Sequence, residues 1–152
     1  MENEILKKSA KTGIVSDHAG YSLKTYLVKK LKEWNCEIAD YGPDSDTSVD
    51  YPDFGHRLGL AIDTGECVRG IAICFSGNGI AMVLNRHRNA RAALCWNKDT
   101  ATLARKHNDA NVCVLPGHFV TDKEAEEIVA LFLSTSFEGG RHERRIKKIN
   151  SQ

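Results

Sequence analysis

The sequence predicts an α/β fold: a five-stranded parallel sheet, doubly wound in a three-layer Rossmann- or flavodoxin-like arrangement. Short apolar runs alternate with longer stretches of helical period, the order expected when helices cross over a parallel sheet. Each apolar run stops near Gly, Asp, Asn or Pro, residues that punctuate strands. At 152 residues the chain suffices for one hydrophobic core, so residues 1–152 are expected to form a single domain ending in a C-terminal helix.

The expected strands are 12–16, 36–40, 69–74, 91–95 and 111–115. The expected helices are 21–34, 53–64, 78–85, 99–107, 122–133 and 141–149. In the first helix Leu23, Leu27, Leu31 and Trp34 recur at helical spacing with lysines between them, which buries one face and solvates the other. Met82 and Leu84 read as core. Residues 1–10 read as a flexible lead-in, and the Asp- and Ser-rich segment 41–52 reads as a loop at a site.

With 41% hydrophobic and 27% charged residues, both signs interspersed, the composition is that of an ordinary soluble domain. A net charge of +1 points to no nucleic-acid or membrane partner. The N-terminus lacks the apolar stretch of a signal peptide, and no run of about 18 apolar residues offers a membrane span. A cytoplasmic location is expected. Cys36, Cys67, Cys74, Cys95 and Cys113 are odd in number and lack CxxC spacing, so they read as reduced thiols without disulfides or structural zinc.

In an open doubly wound sheet, ligands bind outside the carboxyl ends of the strands, where strand order reverses. That rule selects Ser16-Asp17-His18-Ala19-Gly20, the segment up to Tyr51, Cys74-Phe75-Ser76-Gly77-Asn78-Gly79, and Pro116-Gly117-His118. Ser76-Gly77-Asn78-Gly79 between a strand and a helix can present backbone N–H groups to an anion, and such groups would also depress the Cys74 thiol pKa. On that motif alone Cys74 is equally well a proton-moving base or a buried strand-end cysteine. Asp17-His18 fits a base with a ligand contact, though a helix cap with a solvated imidazole is the plainer reading. Tyr51 fits a pocket wall or a residue packed under a loop.

Arg141 and Arg145 fall four apart on one helix face, able to clamp a phosphate or simply to be solvated. His107 closes the fourth helix, which starts at the functional edge and runs back about 15 Å over its ~10 residues. It therefore lies far from Cys74 of its own chain. Either it is a C-terminal helix charge, or it enters the site of a second subunit across a two-fold interface.

Taken together, Ser16-Asp17-His18-Ala19-Gly20, Asp50-Tyr51-Pro52, Cys74 with Ser76-Gly77-Asn78-Gly79, residues 105–111 and Phe137-Glu138-Gly139-Gly140-Arg141-His142 resemble ribose-5-phosphate isomerase B, in order from about Thr12 to Ile149. The resemblance implies interconversion of ribose 5-phosphate and ribulose 5-phosphate through an enediol, without metal or organic cofactor. It also implies homodimers with shared sites, with a tetramer made of two such dimers as the alternative assembly. By position, Cys74 matches the base between C1 and C2, Ser76 the hydroxyl assisting transfer between the oxygens, and the backbone amides of Phe75, Ser76, Gly77, Asn78 and Gly79 the anion hole. Asp17 and His107 match the ring-opening pair, His18, Tyr51 and Asn108 the sugar or phosphate contacts, and Arg141 and Arg145 the phosphate clamp.

The chain departs from that family at three places. Phe75 stands where relatives commonly carry glycine, a change expected to alter the loop or narrow the pocket. Ile80 occupies the position from which a second branch of the family supplies a glutamate base, which leaves Cys74 as the matching base. His118 replaces an arginine that helps bind phosphate, and an imidazole loses charge near neutrality where a guanidinium does not, so weaker phosphate binding is expected. The neighbouring alternatives are isomerisation of allose or galactose 6-phosphate and a non-catalytic phosphosugar-binding module.

Overall fold

The computed structural model describes residues 10–151; the expected flexible lead-in, but for its last residue, lies outside them. Five strands, β1 (Thr12–Ser16), β2 (Ile38–Asp40), β3 (Arg69–Cys74), β4 (Ala92–Leu94) and β5 (Val112–Pro116), form one sheet in the order β2-β1-β3-β5-β4. All four pairings are parallel. Between and after them run α1 (Tyr21–Glu33), α2 (Tyr51–Asp63), α3 (Asn78–Leu84), α4 (Lys98–Asn108), α5 (Asp122–Ser134) and α6 (Arg141–Lys147).

Two apolar clusters sandwich the sheet. Leu23, Leu27 and Leu31 of α1, Ala101 and Ala104 of α4, and Ile128, Val129 and Phe132 of α5 pack with Ile14, Ile71, Ile73 and Leu115 on one face. Phe54, Leu58 and Ile62 of α2 with Ile80 and Leu84 of α3 pack against Val15, Ala72, Cys74 and Val114 on the other. Alternate side chains of each strand thus feed opposite layers, as the pleat requires. Crossovers toward β2, and from β4 back to β5, use the α1–α4–α5 layer, whereas those moving the other way use α2 and α3. One handedness of connection is kept throughout.

Where boundaries differ from expectation, backbone hydrogen bonding accounts for the difference. β2 starts at Ile38 rather than Cys36 because the Cys36 N–H returns to Leu31 O (2.9 Å) and the Asn35 N–H to Lys32 O (3.0 Å), closing α1 with Asn35 at φ +57°. α2 begins at Tyr51, so the long connection ends at Asp50; Pro52 sits in the first turn, where its missing N–H is not needed. Met82 is 69% exposed and not core, since it lies on the face of α3 opposite the buried Ile80 and Leu84.

Arg105, 3% exposed, fixes the far end of α4. Its Nη1 donates to Asp109 Oδ1 (2.9 Å) and to Ala110 O, and its Nε to Thr135 O (3.2 Å), tying α4 to the start of β5 and the end of α5. Arg105→Ala should therefore destabilise the fold by about 2–4 kcal/mol, because it strands buried carbonyls. Urea unfolding monitored by circular dichroism measures this, and an unchanged midpoint would contradict the role.

Candidate active site

Strand order reverses beside β1: β2 lies on one side and β3 on the other. The backbone knits the loops at this edge together, with the Asp17 N–H donating to Ile73 O (3.0 Å), Gly117 N–H to Cys74 O (2.9 Å) and His118 N–H to Phe75 O (3.0 Å). The loops after β1, β3 and β5 consequently converge, as the switch-point rule anticipates. Asp17 is 7% exposed, and its Oδ1 accepts from the Gly20 N–H at 2.8 Å, ahead of α1. His18 is exposed, with Nδ1 3.2 Å from the Val49 nitrogen and 3.3 Å from the Val49 oxygen, so it moors the 41–50 loop to the crevice.

Cys74 ends β3 with its side chain in the α2–α3 layer, 5% exposed. Backbone N–H groups of Gly77, Gly79 and Ile80 favour its thiolate, but burial outweighs them and the Asp17 charge adds to it. The thiol is held above its usual range, contrary to the depressed value expected from the loop: desolvation of the sulfur exceeds the field of the amides. Gly77 adopts φ +81°, the left-handed turn that starts α3, and the Asn78 N–H reaches Ser76 Oγ at 3.3 Å. Tyr51 covers Gly79 so closely that a Cβ there would lie 2.6 Å from Tyr51 Cζ. Glycine at position 79 is what lets the phenol approach the loop.

Phe75 does not join the thiol in the α2–α3 layer. Its ring, 51% exposed, stacks on His118 at 4.2 Å between centroids and 14° between planes. Phe119 meets both rings edge-on, and Trp96 leans on Phe119. Trp96 and Phe119 were not singled out from sequence; pairing of position 75 with 118 brings them in, and that needs the β3–β5 register.

The remaining expected residues gather elsewhere. α4 is capped by Asn97 just beyond β4 and runs back along the sheet for 11 residues, about 16 Å, to the edge where β5 begins. His107 and Asn108 occupy its last turn. α6 packs on α4 there, carrying exposed Arg141 and Arg145, and Asn150 Nδ2 donates to Arg88 O ahead of β4 (2.6 Å). His107 stacks on His142 at 4.4 Å and 14°, and Glu138 lies 3.7 Å from His142 Nε2. The sequence assigns no role to Glu138 and His142, and no helical spacing joins them, because Glu138 precedes α6 across two glycines of positive φ.

One chain therefore holds two clusters at opposite edges of the sheet: Asp17, His18, Tyr51, Cys74, Ser76 and the amide loop at one, His107, Asn108, Arg141 and Arg145 at the other. Among the described residues, His107, Glu138 and His142 are the group whose ligand atoms lie close enough together, within 4.8 Å, for a metal ion. Their imidazoles are parallel, so the in-plane lone pairs do not converge on a point, and Arg141 and Arg145 share the surface. All five cysteines are free, and no helix among the described residues is long and apolar enough to cross a membrane.

Residues 12–149 match the ribose/galactose isomerase family. A probable ribose-5-phosphate isomerase B from Mycoplasma pneumoniae is 41% identical over 137 residues, 90% of either chain. The crystal structure of a ribose-5-phosphate isomerase B from Thermotoga maritima aligns with a TM-score of 0.92 at 45% identity, covering 95% of this chain and 99% of that one. That of the Mycoplasma genitalium ribose-5-phosphate isomerase B, with bound ribulose 5-phosphate, aligns with a TM-score of 0.89 at 42% identity over 93% and 94% of the two chains. The match runs through every strand and both clusters, and the chain belongs to the ribose/galactose isomerase family of enzymes.

Proposed function

We propose that this isomerase interconverts ribose 5-phosphate and ribulose 5-phosphate, in a site built from the thiol edge of one subunit and the His107 edge of a second. The observation that carries this reading is the separation itself. A ring-opening histidine and a phosphate clamp at the opposite end of the sheet from the thiol cannot act on the same five-carbon substrate unless two copies meet. The close likeness to a homologue that binds ribulose 5-phosphate supports the substrate class.

Ring opening needs a base on the anomeric hydroxyl and an acid on the ring oxygen, roles suited to the buried Asp17 carboxylate and the partner's His107 imidazole. Cys74 as thiolate then takes the C2 proton, and the electron pair flows to the carbonyl oxygen to give an enediolate. The amide loop from Phe75 to Gly79 offers N–H donors to that oxygen. Ser76 passes a proton between O1 and O2, and the Cys74 thiol returns its proton to C1, which regenerates the thiolate. His18, Tyr51 and Asn108 fit sugar or phosphate contacts, with Arg141 and Arg145 on the phosphate. The Phe75 ring lies against His118, so the replacement of arginine by histidine is accompanied by an aromatic partner that holds the imidazole.

Kinetics with purified enzyme test the substrate: kcat/KM for ribose 5-phosphate should exceed that for allose or galactose 6-phosphate, and Cys74→Ala should lower turnover at least about 10³-fold while ligand still binds. Preference for a six-carbon phosphate would overturn the assignment. Since burial holds the thiol above its usual range, kcat/KM should rise by up to about tenfold per pH unit on the alkaline side of neutrality, in step with iodoacetamide inactivation. A profile flat from about pH 7 to 9 would mean that the thiolate is already formed. Co-refolding Cys74→Ala with His107→Ala, each inactive alone, should restore about a quarter of wild-type activity, because half the dimers are mixed and each carries one intact site. No recovery would place both residues in one subunit's site.

A further inference from the structure

We propose that His142 is a positioning residue for His107: backed by Glu138 and stacked on the imidazole at the end of α4, it sets the ring plane in which His107 exchanges a proton with the sugar ring oxygen. The inference rests on the assignment of ring opening to His107, and it concerns a side chain to which that reading gives no task.

The geometry is specific. His142 is 8% exposed although it belongs to a short helix whose other polar residues face solvent. Its ring is parallel to that of His107 at 4.4 Å, offset-stacking distance, and its Nε2 lies 3.7 Å from the Glu138 carboxylate. The Glu138 N–H donates to Lys106 O (3.1 Å), which pins the lead-in to α6 onto the last turn of α4, and the His142 N–H donates to Gly139 O (3.3 Å), which joins the first turn of α6 to that lead-in. Among the described residues no side-chain hydrogen bond reaches the His107 ring, and the stack is the contact that orients it. Two χ angles otherwise leave an imidazole at a helix end free to swing, whereas a proton donor must keep its N–H on line with the acceptor.

The electrostatics suit a platform rather than a second acid. Burial lowers the His142 pKa from the usual imidazole value; the charges of His107, Arg141 and Arg145 act the same way, and Glu138 opposes them. A neutral ring can lie flat on His107 without like-charge repulsion, which a cation in its place would not do. Lys106, 4.0 Å from Glu138, and the two arginines complete the charged surroundings.

Ring opening can be separated from isomerisation by the direction of assay. Ribose 5-phosphate is chiefly a closed furanose, whereas ribulose 5-phosphate, with its C5 oxygen esterified, is open-chain and needs no opening. For His142→Ala, kcat at saturating ribose 5-phosphate should fall about 10–100-fold, whereas kcat at saturating ribulose 5-phosphate, whose open-chain aldose product can leave the site and close in solution, should fall less than about 3-fold, the KM values shifting so that the ratio of kcat/KM stays at the equilibrium constant. His142→Phe, which keeps a flat ring for stacking, should recover most of the loss. An equal fall in both directions, no fall in either, or a phenylalanine variant no better than alanine would overturn the proposal. His107→Ala in the same assays keeps the two claims apart. If it shows no directional asymmetry, the ring-opening assignment of His107 fails; if it shows one and His142→Ala does not, the positioning role alone fails.

Discussion

Parallel pairing of β3 with β1 and β5 continues past the last strand residues, and the geometry of the thiol edge depends on that continuation. Because the three strands run the same way, their exits lie side by side, and the hydrogen bonds from Asp17 and Gly117 to the last two β3 carbonyls, and from His118 to the Phe75 carbonyl just beyond, hold the three loops in register. The backbone thereby sets where Asp17, Cys74 and His118 stand, and local contacts, the Gly20 N–H on the Asp17 carboxylate and the Phe75 ring on His118, set how their side chains lie. A parallel sheet with both faces covered is rigid where catalysis needs rigidity, and its loops still face solvent where substrate must enter.

Two opposing effects meet at the sulfur. Amide N–H groups at the start of α3 favour a thiolate, while burial against α2 and α3 disfavours it, and burial wins in the free chain. In the proposed mechanism, a thiolate held high in energy is a strong base once it forms, which matches the demands of abstracting a carbon-bound proton. The amides that fail to dominate the thiol remain available to an oxygen that gains charge during reaction, where preorganised donors count most.

The same helix geometry that closes the core carries His107 away from Cys74. α4 must span the sheet to return the chain to the start of β5, so its two ends belong to opposite edges. In the proposed reading this is no defect of the fold, because a second copy can bring its His107 edge to the thiol edge, and the sugar then touches both. α6 serves that far edge as an extension of α4, bearing the arginines outward and turning His142 inward.

Much of this was legible in the sequence, and the limits have physical causes. Alternating apolar runs specified the layers, because a buried parallel strand tolerates little else, and the loops at strand ends identified Asp17, Cys74 and Tyr51 as neighbours by the switch-point rule alone. The length of α4 by itself separates His107 from the thiol. Periodicity failed at Met82, where a helix of two turns exposes a residue that composition alone would bury, and at Cys36, whose N–H is spent capping α1. Sequence determined which residues stand at which edge, since that follows from local period and chain direction. Tertiary structure decided what each residue meets there: the net burial that raises the Cys74 thiol, the ring of Phe75 on His118, and the stack of His142 on His107. Those depend on distances between segments remote in sequence, which only the packed sheet sets.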